Sequence, residues 1–375
     1  MSPSIRLGRL FGIEIAVNWS LIFVFAYIVW VLASQVLPTA APRNGVGAYW
    51  SLAVVGAVLF YACLLAHELA HALVARRNGV QVAGITLWLF GGVSRLEGEP
   101  PSARSEALIA GVGPLTSLGV AAIALVTAYL TSNDLAGGLF SYLFFVNLAL
   151  AVFNLLPAFP LDGGRLLSSF LWWRSGSRQA GVHRAVRVAR VFAYLMIAAG
   201  VALVFFNQAY NGVWLAFIGW FLLSAGAQEE AGSTVRTLLR SIPVSAAMTS
   251  PVVILPDWVT VEQFLESVAP NHNFSTYPIH EPSGKLTGVV RLRDLVRVPA
   301  QDRGRKHLID VALPISAVPT STPREELLPL MERLGRGLDQ RVLVFDNGQL
   351  VGILSPTDVA RVVSSRQATT GRRTA

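Results

Sequence analysis

Long apolar runs with almost no charge dominate the N-terminal part of this 375-residue chain. Residues 10–75 contain Glu14, Arg43 and Glu68 as their only Asp, Glu, Lys or Arg side chains. Over the whole chain 53% of residues are hydrophobic and 14% are charged, whereas a soluble globular domain has roughly 25% charged residues. Residues 229–375 carry an ordinary density of charges. The sequence therefore predicts a membrane half followed by a soluble half.

The membrane half contains several runs that can span a bilayer, which takes about 20 predominantly apolar residues. Six stretches meet this requirement, at about 15–37, 48–75, 106–131, 138–157, 188–206 and 209–228. The first run exceeds the roughly 7–15 apolar residues of a signal peptide, so we interpret it as a span. The fold class is thus an α-helical polytopic membrane domain with six transmembrane helices.

Arginines cluster before the first span and after the second, fourth and sixth, whereas the opposite loops hold only Arg43. Because cytoplasmic loops are enriched in Arg and Lys, we expect both termini and the soluble half to be cytoplasmic. The same loops explain the net charge of +8, so no nucleic-acid partner is expected. The single cysteine, Cys63, excludes an internal disulfide and is interpreted as a packing residue.

Two regions of the sequence indicate β structure. The stretch "VQVAGITLWLFGGVSRLEG" (80–98) is rich in β-branched and aromatic residues and predicts a short membrane-associated β hairpin. From Ile242 onward, two stretches repeat a pattern of strand, helix, strand and a final Gly-Val or Gly-Ile motif that ends in Asp. The repeat predicts a pair of α/β domains at 243–299 and 300–366, after a linker at 229–242. Residues 367–375 are predicted to form a disordered tail.

The motif "HELAH" (67–71) places His67 and His71 four residues apart inside a predicted span. On a helix these side chains share one face, so both imidazoles can bind one Zn²⁺. The adjacent Glu68 can act on a water molecule at the metal. The alternative is a pair of buried histidines with ordinary hydrogen bonds, but ionisable groups at membrane depth are costly and usually functional.

A third ligand is expected near the end of the fourth span, in "NLLPAFPLDGG" (154–164). Pro157 and Pro160 lack an amide donor and would end the helix just before Asp162. Asp162 lies on the same predicted side of the membrane as the end of the second span, which makes it the best candidate ligand. Without a metal, Asp162 would be a helix-capping residue.

Taken together, "HELAH", "GVGPLTS" (111–117) and "NLLPAFPLDGG" resemble the site-2 protease family of intramembrane zinc metalloproteases, peptidase family M50. The C-terminal repeat resembles a pair of cystathionine-β-synthase (CBS) domains. The resemblance implies that His67, His71 and Asp162 bind zinc, that Glu68 is the general base, and that Asn154 binds substrate or stabilises the oxyanion.

The resemblance also implies a transmembrane helix as substrate, as in the regulated release of anti-sigma or signalling factors. Such a helix must unwind before it is cut, and the hairpin at 84–95 is a candidate to bind the unwound strand by β-augmentation; plain cavity lining is the alternative.

The resemblance to CBS pairs, which commonly bind adenine nucleotides and often stack across subunits, implies ATP, ADP or AMP as a ligand and a homodimer as the assembly. The second repeat, "GILSPTD", offers Ser355 and Asp358 for phosphate and ribose, whereas the first, "GVVRLRD", has Arg291 where a hydroxyl is expected and keeps Asp294. A purely structural CBS pair is the alternative. For the whole chain, a second function remains open: a membrane transporter or channel regulated by CBS domains.

Overall fold

The computed structural model describes residues 4–88, 91–207, 211–272, 274–334 and 341–371. The chain divides into two compact units, Met1–Thr234 and Val235–Ala375. The first unit contains the long apolar helices and one four-stranded sheet. The second contains two small β-sheets with short helices.

The first unit is built from long helices. Its first helix runs continuously over Leu21–Ala40 as α1 (Leu21–Val31), a π-helical turn (Leu32–Val36) and α2 (Leu37–Ala40). The others are α3 Val46–Arg77, α4 Ala103–Leu130, α5 Asp134–Asn154, α6 Asp162–Ser175, α7 Arg178–Asn207 and α8 Asn211–Leu239.

Five helices in the described residues are long and apolar enough to cross a membrane, namely Leu21–Ala40, α3, α4, α5 and α7. They match the first five predicted spans. The sixth predicted span, 209–228, begins outside the described residues and continues as α8, which is not among these five. The chain is thus a multi-pass membrane protein in its first unit.

The start of the first span was predicted too early. Residues 15–20 were assigned to the helix, but β1 (Ser4–Leu10) and β2 (Ile13–Asn18) form an antiparallel hairpin, and the helix begins at Leu21. The reason is the alternation of Ile13, Glu14 and Ile15, which places the isoleucines on one buried face and the glutamate on the other.

The predicted hairpin at 80–98 is present as β3 (Gln81–Trp88) and β4 (Gly91–Glu97), which pair antiparallel. Residues 89–90 lie outside the described residues. The sheet order is β1-β2-β3-β4, with β2 and β3 parallel, so β4 is an edge strand. One face of the sheet packs against α3 through a buried apolar cluster: Ile13, Ile15, Leu64, Ala72, Ile85 and Leu87.

The second unit has two sheets with short helices. Its elements are β5 Leu255–Pro256, α9 Val261–Gln263, β6 Thr276–His280, β7 Leu286–Arg291, α10 Leu292–Val296, α11 Leu308–Val311, β8 Leu313–Pro314, β9 Thr320–Ser321, α12 Leu327–Leu334, β10 Val342–Asp346, β11 Gln349–Leu354 and α13 Pro356–Gly371. The sheet orders are β5-β6-β7-β8 and β11-β10-β9.

The two repeats exchange segments. Leu308 and β8, which the sequence assigns to the second CBS domain, belong to the core and sheet of the first repeat. Conversely, Val244 and Ala247, which the sequence assigns to the first CBS domain, are buried in the core of the second repeat, together with Leu239 and Ile242 of the predicted linker. The predicted linker 229–242 is helical up to Leu239, and the predicted tail is helical up to Gly371; residues 372–375 lie outside the described residues.

Candidate metal centre

Helix α3 carries both histidines of "HELAH" into the protein interior, where His67 is 2% and His71 is 8% exposed. The Nδ1 atom of each ring has a partner on α4. His71 Nδ1 donates to the carbonyl oxygen of Ile109 at 2.6 Å, and His67 Nδ1 lies 2.9 Å from Ser117 Oγ. Since a carbonyl oxygen only accepts, Nδ1 of His71 holds the proton, and Nε2 of the neutral ring keeps its lone pair.

Asp162 meets these two Nε2 atoms. It is the first residue of α6, directly after the loop that follows α5. Its Oδ2 atom lies 3.4 Å from His67 Nε2 and 3.3 Å from His71 Nε2, and the two Nε2 atoms are 3.1 Å apart. In the part of the chain that the structure describes, these three side chains form the one group of His, Cys, Asp or Glu residues whose ligand atoms are close enough together to hold a metal ion.

Two glycines after Asp162 allow α6 to begin where it does. A Cβ atom on Gly163 would lie 2.2 Å from the carbonyl oxygen of Leu155, and one on Gly164 would lie 2.7 Å from that of Ala158. Both positions therefore require glycine, because backbone cannot yield as a flexible side chain can. This packing brings the first turn of α6 against the loop 155–159 and fixes the position of the carboxylate.

Gly113 on α4 faces the two histidines. A Cβ atom there would lie 2.1 Å from His71 Nε2 and 2.7 Å from His67 Nε2. Gly111, two residues earlier, has different surroundings, since a Cβ atom there would approach Leu166 no closer than 3.7 Å. Gly113 and Ser117 are four residues apart, so they share one helix face. That spacing in "GVGPLTS" could have identified both residues.

Glu68 points toward the sheet and is held by β4. Ser94 Oγ donates to Glu68 Oε2 at 2.8 Å. A Cβ atom on Gly92 would lie 2.2 Å from Glu68 Cγ. The sequence did not identify Ser94 or Gly92, because a contact between a helix and a distant strand leaves no periodic signal.

Two further residues of the membrane unit that the sequence analysis discussed make no hydrogen bond to His67, His71 or Asp162 in the described part of the chain. Asn154 is the half-buried last residue of α5. Cys63 is a free, half-buried thiol one turn before His67 on α3. The structure therefore brings together His67, His71 and Asp162 and places Glu68 beside them in α3. Asn154 makes no hydrogen bond to any of these described residues.

The CBS pair contains a cavity of about 250 Å³ that includes two of the predicted nucleotide-binding residues, Ser355 and Asp358. Arg341, Arg361 and Thr276 also line it, and the buried Thr276 Oγ1 has no hydrogen-bond partner among the residues that the structure describes. Apolar walls complete the cavity: Pro251, Val252, Val253, Phe274 and Ile353.

The predicted Asp294 is not among the residues that line this cavity. Its Oδ2 atom instead accepts from Arg291 Nε at 2.5 Å. In the second repeat, Ser355 and Asp358 form a reciprocal cap at the start of α13. Ser355 N and Oγ donate to Asp358 Oδ2 at 3.0 and 2.6 Å, and Asp358 N donates to Ser355 Oγ at 3.3 Å.

Comparisons with known proteins agree with this architecture. The model of peptidase family M50 matches residues 55–134 and 132–200, and the CBS domain model matches residues 244–301 and 310–365. The chain is 41% identical over 369 residues to a zinc metalloprotease named Rip3 from Mycobacterium tuberculosis, covering 97% of this chain and 93% of the relative. It is 28% identical over 366 residues to zinc metalloprotease MJ0392 from Methanocaldococcus jannaschii, covering 97% of each.

Among solved structures, the site-2 protease from Methanocaldococcus jannaschii matches 61% of this chain and 95% of its own, at 27% identity and a TM-score of 0.42. The fold and the site define a multi-pass membrane protein with a buried His-His-Asp cluster and a C-terminal CBS pair. The chain belongs to peptidase family M50, the site-2 protease family of zinc metalloproteases.

Zinc is the metal that this family implies, and the donor set fits it. Bonds of about 2.0–2.1 Å to a tetrahedral zinc place the donor atoms about 3.3 Å apart. The measured separations are 3.1, 3.3 and 3.4 Å. Two imidazoles and one carboxylate leave one tetrahedral position open, as catalytic zinc sites do. The hydrogen bond from His71 Nδ1 to a carbonyl oxygen also orients the ring in the way typical of a zinc ligand.

Proposed function

We propose that this zinc metalloprotease hydrolyses peptide bonds within the transmembrane helices of membrane-anchored substrates. The observation that carries this proposal is the convergence of His67, His71 and Asp162 at zinc-ligand separations in a membrane unit. We assign these three residues as the zinc ligands and Glu68 as the general base. Anti-sigma and signalling factors held in the membrane are the expected class of substrate.

The residues have separate roles in the reaction. Zinc, when bound here, supplies a Lewis acid that activates water and polarises a carbonyl group. Glu68 accepts the proton of the attacking water and passes it to the leaving amine. Asn154 ends α5 and is proposed to contact the substrate backbone or the developing oxyanion. Because the triad is buried, substrate and water must reach it through an opening in the helix bundle.

The variant Glu68→Gln tests the proposed function. It removes the base and leaves the three ligands in place, so we expect wild-type zinc content and loss of cleavage of a single-span reporter protein in proteoliposomes. A Glu68→Gln variant that cleaves the reporter at the wild-type rate would overturn the assignment. As a control, Glu14→Gln changes a glutamate of β2 that is ion-paired with Arg6 and lies outside the cluster.

A second variant, Asp162→Ala, tests the ligand set. We expect it to weaken zinc binding by about 10- to 100-fold or more, since loss of even an outer-shell partner has an effect of that size. The measurement is zinc content after dialysis against a metal buffer. An unchanged zinc affinity would remove Asp162 from the ligand set. It would not affect the proposed role of Glu68, which the Glu68→Gln variant tests separately.

The hairpin β3–β4 is proposed to bind the unwound substrate. β4 is an edge strand of the sheet and contacts Glu68, so a strand added to it would lie close to the proposed base. A disulfide cross-link tests this. Arg95→Cys on β4, in a Cys63→Ser background, should cross-link to cysteines next to the scissile bond of the substrate. Cross-linking that is equally efficient from Arg6→Cys on β1 would contradict the proposal.

The CBS cavity is proposed to bind ATP, ADP or AMP and thereby to regulate cleavage. Arg341 and Arg361 provide positive charge for phosphate, the apolar wall suits an adenine ring, and Asp358 suits a ribose. One nucleotide site per chain is proposed, because Arg291 already pairs with Asp294 in the first repeat. Isothermal titration of the full-length protein with each nucleotide measures affinity and stoichiometry.

The orientation and assembly of the protein are proposed from the sequence. We infer that both termini and the CBS pair are cytoplasmic, and that the CBS pair can join two chains in a homodimer. The alternative function, a transporter or channel regulated by CBS domains, has no support in the comparisons, because the relatives that match both halves of the chain are named zinc metalloproteases.

A further inference from the structure

One face of β4 packs along the whole side chain of Glu68. Gly92 and Ser94 are two residues apart, so they lie on the same face of the strand. A Cβ atom on Gly92 would lie 2.2 Å from Glu68 Cγ, 2.7 Å from Cδ and 3.0 Å from Oε1. Ser94 Oγ donates to Glu68 Oε2 at 2.8 Å and lies 3.5 Å from the carbonyl oxygen of Glu68. Both the aliphatic part and the carboxylate of Glu68 are thus in contact with β4.

The sheet fixes the position of Ser94 relative to α3. Ser94 pairs with Ile85 and Gly92 with Leu87 across β3 and β4. Ile85 and Leu87 are buried, and they pack with Leu64 of the same helix that carries Glu68. Because the donor and the acceptor are anchored to one apolar core, their hydrogen bond does not depend on a mobile loop.

The hydrogen bond also distinguishes the two carboxylate oxygens. Oε2 accepts from Ser94, whereas Oε1 accepts no hydrogen bond from the residues that the structure describes. A carboxylate with one oxygen fixed by a neutral donor keeps the other available to take a proton, in an orientation that the strand sets. Ser94 has no comparable contact with His67, His71 or Asp162.

We propose that Ser94 is a positioning residue for Glu68: its hydroxyl fixes Oε2 so that Oε1 serves as the base. This inference rests on the proposed role of Glu68 and adds a residue of β4 to the reaction. The atoms and charges of the proposed hydrolysis still balance, because Ser94 neither gains nor loses a proton.

The test compares Ser94→Ala, Ser94→Thr and Glu68→Gln in the full-length protein, with a single-span reporter in proteoliposomes. Loss of a hydrogen bond to a charged group predicts about a 10- to 100-fold lower kcat for Ser94→Ala, with unchanged zinc content and KM. Ser94→Thr keeps the hydroxyl on a strand that accepts β-branched residues, so it should recover most of the rate. Thr86→Ala is the matched control, since Thr86 lies on the other face of the same sheet.

The double variant Glu68→Gln/Ser94→Ala separates positioning from a structural effect. If Ser94 acts through Glu68, the double variant loses no more activity than Glu68→Gln alone. A further loss in the double variant, wild-type kcat in Ser94→Ala, reduced zinc in Ser94→Ala, or failure of Ser94→Thr to recover the rate would each overturn the inference. Wild-type activity of Glu68→Gln would instead overturn the proposed function itself, so the two failures are distinguishable.

Discussion

The two candidate sites of this protein surround their carboxylates, Asp162 and Asp358, with opposite kinds of neighbouring atoms. In the metal centre, Asp162 Oδ2 faces the Nε2 atoms of two imidazoles, and Nε2 of neutral His71 carries a lone pair because Nδ1 donates to Ile109. In the CBS cavity, Asp358 accepts hydrogen bonds from Thr249 Oγ1, Arg361 and both donors of Ser355. Electron-rich atoms converge in the first site, whereas protein donors surround the carboxylate in the second.

This difference separates a site that needs a ligand from a site that can use one. Lone pairs that face each other at 3.3 Å in a buried place are unfavourable unless a cation, either a metal ion or a proton, lies between them. The Asp358 carboxylate, by contrast, is already satisfied and stabilises the start of α13. We therefore expect large effects from changes in the metal centre and smaller ones from changes in the CBS cavity.

The largest effect is expected for Gly113→Ala. The added Cβ would lie 2.1 Å from His71 Nε2 and 2.7 Å from His67 Nε2, so both donor atoms must move. We expect zinc affinity to fall by at least about 100-fold, and cleavage with it, because even outer-shell changes weaken metal binding by 10- to 100-fold. Zinc content and reporter cleavage measure this.

Gly111→Ala is the control for Gly113→Ala, since its Cβ would meet Leu166 at an ordinary 3.7 Å on the same helix. It should bind zinc and cleave the reporter like the wild type. If Gly113→Ala kept its zinc, the positions of the two Nε2 atoms would not be those that the metal requires, and the contrast between the two sites would lose its basis.

The next largest effect is expected for Gly92→Ala. Its Cβ would lie 2.2 Å from Glu68 Cγ, but it would not contact the proposed zinc ligands. Because a misplacement of about 1 Å can cost about 100-fold in rate, we expect a loss of that order in kcat with normal zinc content. Gly119→Ala, which has open space for its Cβ, is the control. Loss of zinc from Gly92→Ala would show that β4 supports the ligands as well as the base.

The sequence predicted His67, His71 and Asp162 as one group, which the structure brings together, but it did not predict the residues that contact them and Glu68. His67 and His71 follow from helical periodicity, and Asp162 follows from the helix break at two prolines and from topology. Gly92 and Ser94 act on Glu68 across 24 and 26 positions of sequence, through tertiary packing that no local pattern encodes. The hairpin β1–β2 was missed because its apolar residues merge with the first span, although Ile13, Glu14 and Ile15 alternate.

A smaller effect is expected for Arg341→Ala in the CBS cavity. Arg341 contacts Ser275 at the cavity wall and is proposed to bind phosphate. Loss of one charge-assisted hydrogen bond predicts about a tenfold weaker affinity for ATP, measured by titration of the full-length protein. Arg324→Ala, an exposed arginine outside the cavity, should bind ATP like the wild type. Equal affinity in both variants would remove Arg341 from the proposed nucleotide site, whereas no ATP binding by the wild type would favour a purely structural CBS pair.

The smallest effect is expected for Ser355→Ala. Ser355 Oγ accepts from Asp358 N at the start of α13, and removal of such a cap costs about 1 kcal/mol. Hydrogen exchange of the full-length protein should therefore be about fivefold faster in the first turns of α13, with reporter cleavage unchanged when no nucleotide is added. Ser364→Ala, on the exposed side of the same helix, is the control, because alanine is the better helix former there.

If Ser355→Ala left exchange in α13 unchanged but abolished the response to ATP, the hydroxyl would be a ligand rather than a cap. Asp358 would then resemble Asp162, as a carboxylate whose arrangement is completed by what it binds. Faster exchange with an intact response would instead assign the Ser355–Asp358 pair to the folding of the second repeat and leave nucleotide binding to the arginines. The contrast between the two sites holds only in the second case.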